Sequence, residues 1–317
     1  MSDIALIGEC MLEISHLPTS RDCHSLPTVL SYGGDTLNTA VYAARMGVEA
    51  DYVTVLGDDS MSQWMLDQWT SEHVGVGLVC REKVQVPGLY LIEVDEMGER
   101  SFLYWRDQAP ARRLFDDTKR ADKLFNQLME YPYIYLSGIT LAIYSKESRD
   151  RLLDFIASYR RKGGKLVFDG NYRPQLWESA EVARDYYRRI YAVTDVALST
   201  LEDECMVFGE CEASEAIERL NGWGVGEIVM KLGEQGCVVA ESGKTTAVPS
   251  RKVQVVDTTS AGDSFNGGYM AARIRGESAV RSAEVGCLLA SEVVQHRGAL
   301  ILPQDMPRVS LGLGAAI

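Results

Sequence analysis

The sequence predicts an α/β fold with a doubly wound, mostly parallel sheet flanked by helices, together with a small β-sheet lid. Short, continuously apolar runs such as Ile4–Ile7 and Ile228–Lys231 alternate with segments of helical periodicity such as Lys146–Lys162. Strands that are apolar on both faces are typical of parallel sheets covered by helices on each side. Two segments of alternating polarity, Leu89–Val94 and Arg100–Arg106, flank a turn and predict a hairpin inserted into this order.

The predicted elements follow one another along the whole chain. The predicted strands of the large sheet are Ile4–Ile7, Tyr52–Leu56, Tyr133–Leu136, Leu166–Phe168, Val196–Leu198, Ile228–Lys231 and Cys237–Ala240. The predicted helices between them are Leu37–Met46, Ser60–Glu72, Lys119–Leu128, Lys146–Lys162, Ala180–Ala192 and Ala213–Asn221. A β-like run at Lys252–Val256 predicts a further strand, which leads into a helix that includes Tyr269–Ile274. We expect one domain over residues 1–317, with a lid formed by about residues 10–32 and 84–110.

The composition argues against several classes of function. The 317 residues include 32 basic and 45 acidic side chains, for a net charge of −13. This charge disfavours nucleic acid or an anionic membrane surface as the main partner, so an anionic substrate would need locally placed arginine or lysine. Seven scattered cysteines without a CxxC pair predict reduced thiols in a cytoplasmic protein. The N-terminal residues are typical of a first strand rather than a signal peptide, and no apolar run approaches the roughly 20 residues that span a membrane.

The segment Asp257–Gly268, with the sequence DTTSAGDSFNGG, is the most informative part of the chain. It precedes a predicted helix, and a helix start offers unpaired N–H groups and a positive dipole end to an anion. Ala261 and Gly262 would let a phosphate approach the backbone closely. Asp263 would lie beside that phosphate, where a carboxylate suits the base that takes a proton from an attacking hydroxyl. The alternative is that Asp263 caps the helix and the glycines only permit tight packing.

A second glycine motif precedes the first predicted helix. Gly33 and Gly34 would permit positive φ angles and a close ligand approach at the helix start. Asp35 and Asn38 offer polar groups suited to sugar hydroxyls. The alternative is a capped helix start without a ligand.

Tyrosine and arginine side chains that could bind a carboxylate lie in and near the hairpin. Tyr90, Tyr104 and Arg106 belong to it, and Arg173 follows a predicted strand. An arginine fork binds a carboxylate through two hydrogen bonds. Pairing of Tyr90 with Tyr104 on one face requires a loop of odd length, with a bulge at Gly98. The alternatives are ordinary cross-strand aromatic pairing and a surface hairpin without a functional role.

The motif D-T-T-x-A-G-D-x-F-x-x-G resembles the C-terminal signature of the PfkB, or ribokinase-like, carbohydrate kinases, and Gly33–Thr39 resembles their N-terminal signature. The resemblance implies a ribokinase-like fold and a reaction that uses ATP and Mg²⁺, with Asp263 as the catalytic base. Backbone N–H groups of Ala261 and Gly262 would stabilise the transferring phosphoryl group, and Ser260 would adjoin the nucleotide. Many members carry glycine in place of Ser260, and because serine is small we expect this departure to cost little.

Two further segments fall on the ATP side of the resemblance. Lys231, Gly233 and Gly236 match its K-x-G-x-x-G loop and are expected to bind the nucleotide, although a plain hairpin turn would carry similar glycines. A second segment matches the N-x-x-E motif that is linked to magnesium and phosphate, but its asparagine is absent here. The metal-linked glutamate, acting through water or phosphate, corresponds to Glu202 or alternatively to Glu204.

Shorter motifs resemble the branch of this family that phosphorylates 2-keto-3-deoxygluconate. They include Gly8-Glu9-x-Met11, Tyr104-Trp105-Arg106 and Asn171-Tyr172-Arg173-Pro174. The resemblance implies transfer of a phosphoryl group to the 6-hydroxyl of this sugar acid, and a lid that forms part of a homo-oligomer interface. The expected substrate-binding residues are Gly34, Asp35, Asn38, Tyr90, Tyr104, Arg106, Asn171, Arg173 and Asp263.

Other functions fit parts of the pattern. A kinase of the same fold could act on fructose, ribose or 2-keto-3-deoxygalactonate, although Arg106 and Arg173 favour a sugar acid over a neutral sugar. A catalytically silent sugar-binding regulator is a second alternative, but binding alone does not require a base at Asp263. A dinucleotide-dependent oxidoreductase is disfavoured because no GxGxxG motif follows the first predicted strand.

Overall fold

The structure is a computed structural model that describes residues 2–15, 24–94, 100–210 and 212–311. Thirteen strands within these ranges form two sheets. The strands are β1 Ile4–Ile7, β2 Met11–Ser15, β3 Val29–Gly33, β4 Ala50–Gly57, β5 Val79–Glu82, β6 Leu89–Val94, β7 Arg100–Trp105, β8 Tyr133–Ser137, β9 Lys165–Asp169, β10 Val196–Thr200, β11 Glu227–Lys231, β12 Cys237–Glu241 and β13 Lys244–Val248. The helices are α1 Asp35–Arg45, α2 Ser60–Ser71, α3 Thr118–Leu128, α4 Gly138–Ile143, α5 Lys146–Arg161, α6 Ala180–Tyr191, α7 Leu201–Phe208, α8 Ala213–Gly222, α9 Ala261–Ile274 and α10 Ala279–Val293.

The larger sheet confirms the predicted α/β class. Its nine strands lie in the order β13-β12-β11-β10-β9-β8-β1-β4-β5, parallel from β11 to β5 and antiparallel at the β12–β13 edge. Strand β1 shows why the apolar runs are continuous, since Ala5 and Ile7 join the core on one face and Ile4 and Leu6 join the core on the other. The carboxyl ends of the parallel strands meet at one edge, which is where ligands bind on such sheets.

The smaller sheet is the predicted lid. Its strands lie in the order β3-β2-β6-β7, and β6 pairs with β7 as the predicted hairpin. Tyr90 stands directly opposite Tyr104 in this pair, and five residues separate Val94 from Arg100, so the predicted odd-length loop is confirmed. The predicted bulge at Gly98 lies outside the described residues.

The predicted strand at Lys252–Val256 is wrong. This segment forms no strand, and Val255 and Val256 are about half exposed. The backbone N–H groups of Val256 and Asp257 both donate to the carbonyl of Val294, just beyond α10, instead of to a neighbouring strand. The edge of the sheet is formed instead by β13, whose sequence KTTAV is too polar and exposed to have been recognised as a strand.

Close packing of α1 against α9 brings the two glycine motifs together. A methyl group placed on Gly267 in α9 would lie 2.6 Å from Cβ of Tyr42 and 2.9 Å from the carbonyl oxygen of Thr39, both in α1. Only glycine therefore allows the two helices to approach this closely. The contact fixes the start of α1, with Asn38, beside the start of α9, with Asp263.

Two further sequence predictions concern thiols and membrane segments. Five cysteines lie in the described part of the chain, and none of them forms a disulfide there: Cys10, Cys80, Cys205, Cys237 and Cys287. Among the helices described, none combines the length and the apolar character needed to cross a bilayer.

Candidate active site

Asp263 lies in the first turn of α9 and is held by residues of α1. Asn38 Nδ2 donates to Asp263 Oδ2 at 2.9 Å, and Thr39 Oγ1 donates to the Asp263 carbonyl at 3.2 Å. Asn38 Oδ1 is buried and accepts no hydrogen bond within the described part of the chain. The amide therefore orients the carboxylate with its donor side and presents a free acceptor beside it.

Two partly buried carboxyl groups, those of Asp263 and Asp35, determine the electrostatics of this site. Burial raises the pKa of Asp263 to about 7, and the negative charge of Asp35 contributes in the same direction. Burial also raises the pKa of Asp35, which accepts a hydrogen bond from Asn171 Nδ2 at 2.8 Å. A carboxylate with a pKa near 7 can accept a proton from a hydroxyl at neutral pH, which is the property required of a general base.

Gly33 and Gly34 do not have the predicted positive φ angles. Gly34 has a φ of 179°, which is extended backbone that any residue can adopt. A side chain at Gly34 would instead collide with the carbonyl oxygen of Glu9, and one at Gly33 would collide with the Tyr90 hydroxyl. The glycines thus allow lid strand β3 to run close to the end of β1.

The conformation of Ser260 contradicts the expectation that serine costs little at this position. It precedes α9 with a φ of 62° and a ψ of 14°, in the left-handed region. A non-glycine residue in this region costs roughly 1–2 kcal/mol because of its Cβ. The departure from the family pattern therefore strains the backbone, and the small size of serine is not the deciding factor.

A buried polar cluster that the sequence did not predict lies beneath the start of α9. Lys231 Nζ, at the end of β11, donates to Asp169 Oδ1 and to Asn266 Oδ1, each at 3.2 Å. Asn266 Nδ2 donates in turn to Asp169 Oδ2 at 3.0 Å and to the Tyr135 hydroxyl at 2.9 Å. Asp169 and Lys231 are each a charged residue at the end of an apolar strand, and this pattern in the sequence could have indicated the cluster.

The predicted metal-linked residue Glu202 is not brought to this cluster. Glu202 is exposed in the first turn of α7, and Glu204 is buried against Tyr191 and Arg219. Asp203 between them is buried, and its carboxylate lies 3.7 Å from the Arg173 guanidinium. Burial raises the pKa of Asp203 to about 6, with the charge of Asp169 as the next cause.

The lid contributes Arg106 and Tyr90, and both already have carboxylate partners. Arg106 Nη2 forms a buried ion pair with Glu9 at the end of β1, and its Nε is buried without an acceptor among the described residues. The Arg106 guanidinium lies 5.7 Å from the centre of the Tyr104 ring. The Tyr90 hydroxyl donates to Glu13 in β2. The sequence did not indicate these contacts of Arg106 with Glu9 and of Tyr90 with Glu13.

Arg173 and the β11–β12 loop complete the predicted set. Arg173 is largely exposed, and its Nη1 donates to the Tyr172 carbonyl at 2.7 Å. Gly233 and Gly236 both have positive φ angles, 61° and 95°, in a tight connection between antiparallel strands. The turn itself therefore accounts for the glycines, while Lys231 before it points into the buried cluster.

Known proteins are similar to this chain in sequence and in fold. The pattern of the pfkB family carbohydrate kinases matches residues 1–305. The chain is 45% identical to the 2-dehydro-3-deoxygluconokinase of Dickeya dadantii over 313 residues, covering 96% of this chain and 98% of that protein. It is 43% identical to the 2-dehydro-3-deoxygluconokinase of Escherichia coli K12 over 312 residues, with the same coverage of both chains.

Solved structures repeat the fold. A 2-dehydro-3-deoxygluconokinase of Thermotoga maritima aligns with a TM-score of 0.84 at 21% identity, over 96% of this chain and 98% of that one. A putative ribokinase II of E. coli, in complex with ATP and Mg²⁺, aligns with a TM-score of 0.83 at 22% identity, over 97% and 96% of the two chains. The chain belongs to the pfkB family of carbohydrate kinases.

Proposed function

We propose that the protein transfers the γ-phosphoryl group of ATP to the 6-hydroxyl of 2-keto-3-deoxygluconate, which is the same compound as 2-dehydro-3-deoxygluconate. The observation that carries the proposal is the partly buried Asp263 at the start of α9, with a pKa raised to about 7 and a carboxylate oriented by Asn38. The similarity to 2-dehydro-3-deoxygluconokinases supports the choice of substrate. Binding alone would not need such a carboxylate, so a catalytically silent sugar-binding protein is disfavoured.

In this mechanism Asp263 is the general base. The 6-hydroxyl oxygen forms a new bond to the γ-phosphorus while the bond from that phosphorus to the ADP oxygen breaks. The hydroxyl proton passes to the Asp263 carboxylate. Asn38 holds the carboxylate through Nδ2, and its free buried Oδ1 is available to accept from a second sugar hydroxyl.

The phosphate end is assigned to the start of α9. The backbone N–H groups of Gly262 and Asp263, in the first turn of α9, suit the developing charge on the phosphoryl oxygens. The N–H of Ala261, which the sequence assigned to the same role, donates instead to the carbonyl of Thr258 at 3.2 Å. Apart from the neighbouring backbone of α9, a methyl group placed on Gly262 would meet one atom of the described residues within 4 Å, Lys231 Nζ, so there is room for a phosphate beside it. This open space beside the Lys231 ammonium fits the phosphates of a nucleoside triphosphate.

Magnesium would be held mainly through the phosphate oxygens of ATP. When bound with ATP, Mg²⁺ would neutralise part of the charge on the β- and γ-phosphates. Within the described ranges no cluster of three or more acidic, histidine or cysteine side chains is arranged to hold a metal. Asp203, buried and facing Arg173, is a better candidate than Glu202 for the carboxylate on this side, because Glu202 is exposed.

The sugar-acid end is assigned to the lid and to Arg173. Arg106 keeps a buried Nε donor without an acceptor in the described ranges, which suits one oxygen of a substrate carboxylate. Glu9 fixes the orientation of that guanidinium through the buried ion pair. Tyr104 lies beside Arg106 and is 45% exposed, so a ligand can reach it.

The same family resemblance suggests a homo-oligomer formed through the lid. Apolar lid side chains between 43% and 57% exposed support it, namely Val29, Leu30, Phe102, Leu103 and Trp105. Light scattering of the wild type and of Trp105→Glu would test it, since the charged variant should dissociate. The free thiols also fit the reducing cytoplasm as the location of the protein.

A kinase of a neutral sugar is the main competing function, and a substrate comparison separates the two. ADP release would be measured with ATP, Mg²⁺ and 2-keto-3-deoxygluconate, fructose, ribose or gluconate. We expect kcat/KM for the keto acid to exceed each of the others by at least about 100-fold, since unpaired polar groups in a site penalise a substrate that lacks their partner. Preferred turnover of a neutral sugar would overturn the substrate assignment and leave the role of Asp263 intact.

A further inference from the structure

Lys231 is a buried cation whose position is fixed from three elements. Only 8% of its surface is exposed, and its ammonium group donates to Asp169 in β9 and to Asn266 in α9. An isolated buried ammonium would be strongly unfavourable, and these two partners compensate for the burial of the side chain at the end of β11. An ammonium group has three donors. Two are engaged within the described part of the chain, which leaves one for a ligand oxygen.

The partners of Lys231 are themselves immobilised. Asn266 donates to Asp169 Oδ2 and to the Tyr135 hydroxyl, so its Oδ1 can face only the lysine. Asn266 also follows Asp263 by three residues in α9, which places both side chains on the same face of the helix. The position of the ammonium is thereby linked to the helix that carries the base.

Lys231 Nζ lies directly beside the proposed phosphate position. Apart from the neighbouring backbone of α9, it is the only atom of the described residues within 4 Å of a methyl group placed on Gly262, at 3.7 Å. The ammonium charge and the positive end of the α9 dipole therefore lie next to each other. Two positive features at one point repel each other unless a multiply charged anion occupies the place between them.

We propose that Lys231 contacts the γ-phosphoryl group during transfer, and that Asp169 and Asn266 are positioning residues that hold its ammonium there. The inference rests on the proposed kinase function and makes it more specific. It gives Lys231 a role at the transferring group, in place of a general role in the nucleotide loop. The glycines of that loop are needed by the turn alone, and they do not require a ligand.

Nucleotide affinity tests the proposal without turnover. Dissociation constants for ADP and for a non-hydrolysable ATP analogue, each with Mg²⁺, would be measured by calorimetry for the wild type and for Lys231→Met. We expect the Kd of the ATP analogue to rise roughly 10- to 100-fold, the factor for one hydrogen bond to a charged group. The Kd of ADP, which lacks the γ-phosphoryl group, should change less than about threefold on the same reasoning. Equal losses for both nucleotides, or no loss, would overturn the proposal.

A double-mutant cycle tests the positioning role of Asp169. Asp169→Asn should weaken binding of the ATP analogue by about tenfold in the wild type, because the ammonium loses its ionic partner. The same substitution should add nothing to Lys231→Met, since Asp169 acts through the lysine. An equal effect of Asp169→Asn in both backgrounds would show that Asp169 does not act through Lys231. Lys231→Arg, which keeps the charge, should recover part of the discrimination between the two nucleotides.

Matched controls keep the outcome interpretable. Lys165→Met removes a lysine at the opposite end of β9, where Lys165 stacks on Tyr133, and should leave both Kd values unchanged. If Lys231→Met does not fold because Asp169 is left without its cation, the double variant removes both charges and gives the same comparison of nucleotides. If Lys231→Met weakens the ATP analogue selectively while the wild type does not phosphorylate the keto acid, the substrate assignment is overturned and the role of Lys231 is supported.

Discussion

Replacement of Asp263 by asparagine should abolish most of the activity and stabilise the fold at the same time. The substitution preserves shape, because the asparagine oxygen can still accept from Asn38 Nδ2, now at 2.9 Å from the carboxylate. It removes the ability to take a proton. Loss of a general base lowers kcat by about 10²- to 10⁴-fold.

The effect on stability follows from the raised pKa. The pKa of Asp263 is about 7 in the folded protein against an ordinary value of 3.8, so the folded state binds this proton more tightly than the unfolded state. The wild type therefore loses stability as the pH rises from 4 to 7, with an upper limit of about 4 kcal/mol at 1.4 kcal/mol per pKa unit. Asp263→Asn avoids this loss. We expect it to be more stable than the wild type by roughly 1–4 kcal/mol at pH 8, and equally stable near pH 4.

Steady-state ADP release and urea unfolding at pH 4 and pH 8 measure the two effects. The matched control is Asp59→Ala, because Asp59 accepts from the N–H groups of Met61 and Ser62 at the start of α2, away from the site. It should lose about 1 kcal/mol of stability, as caps do, and keep its kcat. A kcat for Asp263→Asn within about threefold of the wild type would contradict the general-base role. A lower stability than the wild type at pH 8 would contradict the raised pKa.

Four further outcomes are expected. The rate should rise with pH through an apparent pKa of about 7, because protonated Asp263 cannot accept the hydroxyl proton; a flat pH–rate profile between pH 5 and 8 would contradict this. Arg106→Ala should lower the free energy of unfolding by about 3–5 kcal/mol, because Glu9 stays buried without its partner, whereas Arg106→Met combined with Glu9→Gln should recover most of it in chemical denaturation. Arg173→Ala should raise KM for the sugar acid by roughly 10- to 100-fold through one charged hydrogen bond, and an equal rise with fructose would exclude carboxylate recognition. Ser260→Gly should gain about 0.5–1 kcal/mol in thermal unfolding, since the left-handed strain exceeds the entropy of glycine; a loss would contradict the strain.

Local patterns were sufficient for most of the large sheet. The run Ile4–Ile7 is a strand with the predicted bounds, because each of its residues joins one of the two cores and all are apolar. The glycine motifs were placed correctly at the starts of α1 and α9. The reason for a glycine was not always predictable. Gly34 is needed because a side chain there would collide with the carbonyl of Glu9, and its φ angle does not require glycine.

The polar partners of the site could not be predicted, since they depend on distant parts of the chain. Lys231 and Asp169 are 62 positions apart and meet because β9 and β11 flank β10. Arg106 and Glu9 are 97 positions apart and meet because the lid runs close to the end of β1. The sequence left Glu202 and Glu204 as alternatives and did not indicate Asp203, because this depends on which face of α7 is turned inward.

The most direct measurement is the product formed from ATP, Mg²⁺ and 2-keto-3-deoxygluconate by the purified protein, followed by ³¹P NMR with proton coupling. We expect ADP and one new phosphate monoester whose phosphorus couples to the two protons on carbon 6, and we expect no such ester from Asp263→Asn over the same time. No ester, an ester at another hydroxyl, or the same ester at an unchanged rate from Asp263→Asn would contradict this expectation.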